Sequence, residues 1–239
     1  MSPTVLQQDK NMPRNPTTRV DAPHPIDVDA DENARKIRRT HAERREEAEQ
    51  RMLEAAVRIV AERGLEYLTL AECGEAAGYS RGLAAHYFGS KDALISAIAT
   101  HIVANYARRL KGNSGGRKGL DGFLYSISFY IDSGRNRMLE LRAFNAVLGS
   151  SLTNPSISRA IGDLNRQSVE SFAHGLRMCV KQGAVRADID PIAQSTLVLS
   201  MLRGLMSQWL IDPQGVDLDA ARAELLENLR RSLAPSSTP

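Results

Sequence analysis

Residues 69–91 read TLAECGEAAGYSRGLAAHYFGSK, and this stretch decides the fold. Thr69 offers an N-cap oxygen and Glu72 follows three residues on, the pattern of a capping box at a helix start. Leu70, Cys73 and Ala77 then share one face at helical spacing. Gly78 enters a left-handed turn without a Cβ penalty. Ser80 is placed to cap a second helix reaching about Tyr87. Helix, short Gly-containing turn and second helix are the parts of a helix-turn-helix that binds DNA. The second helix carries Arg81, His86 and Tyr87, with Lys91 just beyond, and their donors suit phosphate oxygens and base edges. Spacing alone fits an ordinary helical hairpin as well, so the flanking sequence has to choose.

From Arg51 to Leu94 the chain resembles the N-terminal domain of the TetR family of bacterial transcriptional regulators. MLEAAVRIVAERG matches the first helix, TLAECGEAAGYS the second helix and turn, and RGLAAHYFGSKDAL the recognition helix with the start of a fourth. FGSKDAL fits F-x-S-K-[ED]-x-L, which is specific to that family when it follows AG-x-S. The resemblance spans about residues 44–96. Ala85 stands where the family usually has a Tyr that touches a phosphate, so His86 or Tyr87 has to take over that contact. Tyr87 itself stands where His is usual. Cys73 replaces Ile and packs as a small hydrophobe. Gly74 replaces Ala and is expected to weaken its helix by roughly 1 kcal/mol. The DNA-facing set expected from motif and resemblance together is Arg39, Arg44, Arg45, Thr69, Ser80, Arg81, Gly82, His86, Tyr87 and Lys91.

The chain has 239 residues, which suits a small DNA-binding domain plus one larger domain, and 42% hydrophobic residues support a real core. A net charge of +3 does not by itself argue for nucleic acid; its distribution does more. Arg35, Lys36, Arg38, Arg39, Arg44 and Arg45 crowd ahead of the first helix, where a basic arm lies along phosphates or enters a minor groove. A solvated, helix-extending charge run is the alternative. Cys73 and Cys179 suggest neither a disulfide framework nor a zinc site, and no metal or other cofactor is expected. No apolar run approaches the ~18 residues that span a membrane, and without a hydrophobic h-region near the N-terminus no secretory signal is expected. The expected location is a reducing bacterial cytoplasm, at the nucleoid.

The expected architecture is all-α: a three-helix DNA-binding domain over 36–96 and a helical bundle over 97–234 for ligand binding and dimerisation. The Pro-rich extension 1–35 and the tail 235–239 are expected to be disordered. The first helix starts at about 36 or 44 and stops at Gly64. Further helices are expected over about 91–110, 117–132, 136–150, 155–182, 191–211 and 218–233, with GNSGG at 112–116 the clearest break. The eighth helix is apolar nearly all round, so it is buried on more than one side. Together with the ninth it fits a dimer interface, a four-helix bundle with two helices from each subunit. The resemblance implies the same. Leu199, Leu202, Met206, Trp209, Leu225 and Leu229 are the residues expected there, with the outward face of the eighth helix left open.

In the middle helices, Phe123, Tyr125, Phe129, Arg142, Phe144, Asn145, Phe172, His174 and Met178 mix apolar bulk with scattered polar tips. Ligand pockets have that composition, and so do ordinary cores. The resemblance implies a small-molecule effector that binds there and releases a homodimer from a palindromic double-stranded operator. A ligand-independent DNA-binding protein and an activator stay open. An enzyme finds no support: GxSxG and a phosphate-binding Gly loop are absent, and none of His24, His41, His86, His101 and His174 sits in a nucleophile or metal motif.

Overall fold

A computed structural model describes residues 28–235, with side chains from Thr40 onward. The disorder expected for 1–27 and 236–239 and the DNA contact expected of the Arg39 side chain fall outside the described residues. The regular elements among them are all helical: α1 (Val28–Arg63), α2 (Leu70–Ala76), α3 (Leu83–Phe88), α4 (Lys91–Asn113), α5 (Gly119–Asn136), α6 (Met138–Ser151), α7 (Pro155–Lys181), α8 (Pro191–Ile211) and α9 (Leu218–Leu233). A single 3-10 turn, Leu65–Tyr67, follows α1.

Helix α1 starts earlier than 36 or 44. No Gly or Pro interrupts Val28–Arg63, and the acidic DADE suits a helix N-terminus. Pairs one turn apart support its charged stretch, Glu47 with Arg51 at 2.6 Å and Gln50 with Glu54 at 2.8 Å. Gly64, at φ +103°, ends it.

The described residues from Arg44 onward fall in one compact unit containing two hydrophobic cores. The first gathers Met52, Ala56, Leu68, Cys73, Ala84, Leu94 and Ile98 from α1 to α4, and continues into Phe144 and Val147 of α6 and Ile157 and Ile161 of α7. The second gathers Ile127 and Ile131 of α5, Leu176 of α7, Leu202 and Met206 of α8 and Leu233 of α9. Helix α4 runs unbroken across the boundary expected at 96/97.

The helix-turn-helix is fixed by backbone contacts. The Glu72 N–H donates to Thr69 Oγ1 at 3.0 Å, which is half of a capping box. The other half is missing because the Glu72 carboxylate pairs with Arg63 instead. Gly78 sits at φ +81°, and the Tyr79 N–H closes the turn onto the Gly74 carbonyl at 2.9 Å. Helix α3 begins at Leu83 rather than at Ser80: Ser80 acts through its carbonyl, which accepts the Leu83 N–H at 3.1 Å. That same carbonyl lies against Gly74, where a Cβ would approach it to 2.6 Å. Gly74 is therefore a packing requirement, and its helix-propensity cost is secondary.

Helix α8 corrects the expected dimer residues. Leu199, Leu202, Met206 and Trp209, with Leu229 of α9, are buried within the single chain, and the half-buried Leu225 packs on the same core. That face of α8 is used on this chain's own helices and is closed to a partner. The apolar residues left outside are Ile192, Leu197 (59% exposed), Met201 (41%) and Ile211.

Helix propensity alone makes Gly74→Ala stabilising by about 1 kcal/mol. The Ser80 carbonyl reverses the sign, and Gly74→Ala should destabilise by roughly 1–3 kcal/mol. Equilibrium unfolding in urea checks this; a rise in midpoint would contradict the close packing of the turn.

Candidate functional site

Beyond the turn, α3 exposes one small surface. Arg81, Gly82, Ala85 and His86 are all exposed there, while Ala84 is buried beneath them and Leu83, Tyr87 and Phe88 are half-buried. Thr69, Ser80, Arg44 and Arg45 are exposed as well. Tyr87 is tied down: its hydroxyl donates to the Arg45 carbonyl at 3.3 Å, and the Arg45 guanidinium lies 5.6 Å from its ring centroid. It therefore positions α3 against α1. Lys91, half-buried, donates to the Glu66 carbonyl at 3.4 Å.

Arg81 has a side chain 75% exposed and is held by Glu75, with Nε 2.5 Å from the carboxylate. The Arg81 guanidinium holds the Glu75 carboxyl below its usual range, so both partners stay charged at neutral pH. Arg81 is thus stored in an internal pair at the tip of the exposed surface, and a phosphate or a guanine edge has to compete with Glu75 for it.

A second site lies deeper. A cavity of about 740 Å³ is bounded by α4 to α8 and the segment before α5. Tyr106 of α4 and Tyr130 of α5 meet edge-to-face at 5.5 Å, and Phe123 and Phe172 do the same at 6.1 Å. Tyr106 donates to the Ser126 carbonyl at 3.0 Å. Burial pushes both the Tyr106 and Tyr130 hydroxyls well above their ordinary range, so both remain protonated donors. Arg109 binds Glu140 at 2.8 Å, and Arg137 reaches the same carboxylate at 3.3 Å. Arg203 of α8 stacks 5.4 Å from the Phe144 ring centroid and donates to Asn165 at 2.7 Å. Size and composition are those of a small-molecule site.

Of the expected pocket residues, Phe123, Phe144, Phe172 and Met178 line the cavity. Phe129 lies behind it, packed on Tyr106 at 5.8 Å and Tyr125 at 6.0 Å. Asn145 donates to the Leu141 carbonyl of its own helix, and Arg142 and His174 are exposed. Tyr106, Arg109, Tyr130, Glu140 and Arg203 were not anticipated. Arg203 left a signal, as the one charged residue in PIAQSTLVLSMLRGLMSQWLI.

Residues 52–98 match the model of bacterial regulatory proteins of the tetR family, and residues 126–234 match that of the C-terminal domain of BetI-type transcriptional repressors. The HTH-type transcriptional regulator BetI 1 of Chromohalobacter salexigens is 25% identical over 78% of this chain and 91% of its own length. BetI of Brucella canis is 41% identical over 25% of this chain and 30% of its own. Two solved structures share the fold. One, from Saccharomonospora viridis, is a candidate transcriptional regulator in complex with choline, at 22% identity and a TM-score of 0.66 over 79% of this chain and 98% of that one. The other is FadR of Bacillus subtilis in complex with stearoyl-CoA, at 15% identity and a TM-score of 0.64 over 77% and 98%.

Removing the competitor for Arg81 should strengthen DNA binding. Glu75→Gln is expected to tighten it by roughly two- to fivefold, and Arg81→Ala to weaken it by roughly 5- to 150-fold with relaxed preference at one base step. Fluorescence anisotropy on the protein's own upstream DNA and on random DNA separates the cases. Weaker binding by Glu75→Gln would mean that Glu75 contacts DNA itself.

Proposed function

The chain belongs to the tetR family of bacterial regulatory proteins, a transcriptional regulator by its motif and its relatives, and from that premise we propose that it is a repressor. It binds a palindromic operator as a homodimer and leaves it when a small molecule fills the cavity between α4 and α8. The observation that carries this reading is the shared helix α4. Its first turns, with Leu94, Ile95 and Ile98, are buried in the core beneath α2 and α3, while Tyr106 and Arg109 further along the same helix line the cavity. A ligand that displaces the second half of α4 biases the first, and with it the recognition helix.

One helix-turn-helix contacts too few base pairs to select an operator. Two, spaced by one turn of DNA or a multiple of it, read both halves of a palindrome. The outward face of α8 supports the pairing. Leu197 and Met201 lie one helical turn apart, and Ala193, Ser200 and Gly204 beside them are small enough for a second helix to come close. An apolar surface of this kind marks an interface. The match to the C-terminal domain of BetI-type repressors favours repression over activation. That choline and stearoyl-CoA occupy two proteins of this fold favours an effector over ligand-independent binding. A repressor of this kind acts on chromosomal DNA, and the location proposed with it is the bacterial cytoplasm, at the nucleoid.

Two substitutions on one helix test the pairing. Met201→Glu should give a folded monomer by sedimentation and circular dichroism. It should also remove the two-fold symmetric footprint on the upstream DNA. Leu202→Glu, on the inward face, should unfold the chain, because an unpaired charge there has no solvent. A Met201→Glu dimer that still protects both half-sites would overturn the assignment of the interface.

A further inference from the structure

Resting on the reading of the cavity as the effector site, its charges specify what the effector is. Five cationic side chains line it, Arg109, Arg117, Lys118, Arg137 and Arg203, against one carboxylate, Glu140. Glu140 is already shared between Arg109 and Arg137, so it has little left to offer a bound cation. One aromatic face of the lining, that of Phe144, is already covered by a cation, Arg203. A cationic ligand would enter a site with excess positive charge.

Arg203 is the focus of that excess. Its neighbours are Asn165, the Tyr130 hydroxyl and the Phe144 ring, and among the described residues no carboxylate pairs with it. Its Nε, like that of Arg109, is buried without a hydrogen-bond partner among the described residues. Burial lowers the pKa of the guanidinium, yet a guanidinium remains charged in proteins. A buried cation without a counter-ion is costly, and a ligand that brings the anion removes that cost. The rest of the lining is apolar: Leu110, Phe123, Leu141, Leu164 and Leu199.

We propose that the cavity binds an amphipathic organic anion, its acidic head on the Arg203–Tyr130 wall and its apolar body against Phe123 and the surrounding leucines. The guanidinium supplies a paired, planar donor set suited to a carboxylate or phosphate, and the protonated Tyr130 hydroxyl adds a neutral donor. A molecule of the same shape with a cationic head pays twice, through repulsion and through leaving Arg203 uncompensated.

Calorimetric titration of the full chain with three probes of equal tail length, decanoate, decanol and decyltrimethylammonium, tests this below their micelle concentrations. Decanoate should bind tightest. Arg203→Met, which keeps the stem packed on Phe144, should lose roughly 10- to 100-fold in decanoate affinity and leave decanol unchanged. Arg203→Lys should retain most of the preference for the anion. Tighter binding of the cation or of the alcohol by the wild-type protein overturns the proposal, whatever the folding of the variants. So does an Arg203→Met protein, folded by circular dichroism, that keeps the full preference. Release of upstream DNA is read separately: decanoate that binds at Arg203 without releasing DNA contradicts the repressor reading and leaves the anion site standing.

Discussion

One helix serves two environments, and the rest of the structure depends on that constraint. The first half of α4 buries one face in the core it shares with α1, α2 and α3, through Leu94, Ile98 and Ala99, and Ile102 closes the same core. Its second half turns Tyr106 and Arg109 into the cavity. No Gly or Pro interrupts it until Gly112, so there is no hinge to absorb a shift between the halves. Close-packed cores do not deform continuously. They move as bodies, and a rod embedded in one core and facing a cavity at its other end carries displacement from one to the other. The core beneath the recognition helix also reaches Phe144 and Ile161, so α6 and α7 brace the same lever.

Electrostatics divides the molecule's labour. At the tip of the helix-turn-helix the arginine is exposed and stored on a neighbouring carboxylate, an arrangement that an incoming phosphate or base can exchange at small cost. In the cavity Arg109 and Arg203 are half-buried, each with its Nε buried. Arg109 has Glu140 as its counter-ion, and Arg203 has only Asn165, a phenol and the Phe144 ring beside it. The same residue type is therefore a reversible contact on the surface and an uncompensated charge inside, and burial together with the lack of a carboxylate partner makes the difference. The cysteines illustrate the point with a neutral group. Cys73 donates to the Met52 carbonyl at 3.2 Å, and burial pushes its thiol up to about 11, so it packs as a hydrophobe and does not react as a thiolate.

What was legible in the sequence was what is local in it. The caps at Thr69, Ser90, Asn154 and Asp190 lie next to the helices they start, so a cap of this kind is written in a few adjacent residues. Ser80 looked like a fifth and is not, because its carbonyl is committed to Leu83 and packs under Gly74. That close approach joins two helices and leaves no pattern in either. The outward face of α8 was illegible for a different reason. Apolar residues surround the helix, so periodicity carries no direction, and only packing shows that Leu202 faces in and Met201 out. In the cavity, aromatic content located α5 and α7 but not the polar wall. Phe129 and His174 have the expected chemistry on the wrong side of their helices, whereas Arg203, outside the expected set, is a lone charge in an apolar run.

The central claim is that cavity and recognition helix are mechanically one through α4. Nitroxide labels attached through Ala85→Cys, exposed on α3, report it directly, since Cys73 and Cys179 are buried with raised thiol pKa values and stay unlabelled. The measurement is the distance between the two labels of the proposed dimer by pulsed electron paramagnetic resonance, with the cavity empty and with it filled by Ser126→Trp, a wedge between α5 and Tyr106. The account predicts that the unfilled dimer samples a recognition-helix spacing near the ~34–36 Å demanded by successive major grooves, or a multiple of it, and that the wedge moves the distribution away from it. An identical distribution in both proteins, with the wedged chain folded and dimeric, would contradict it.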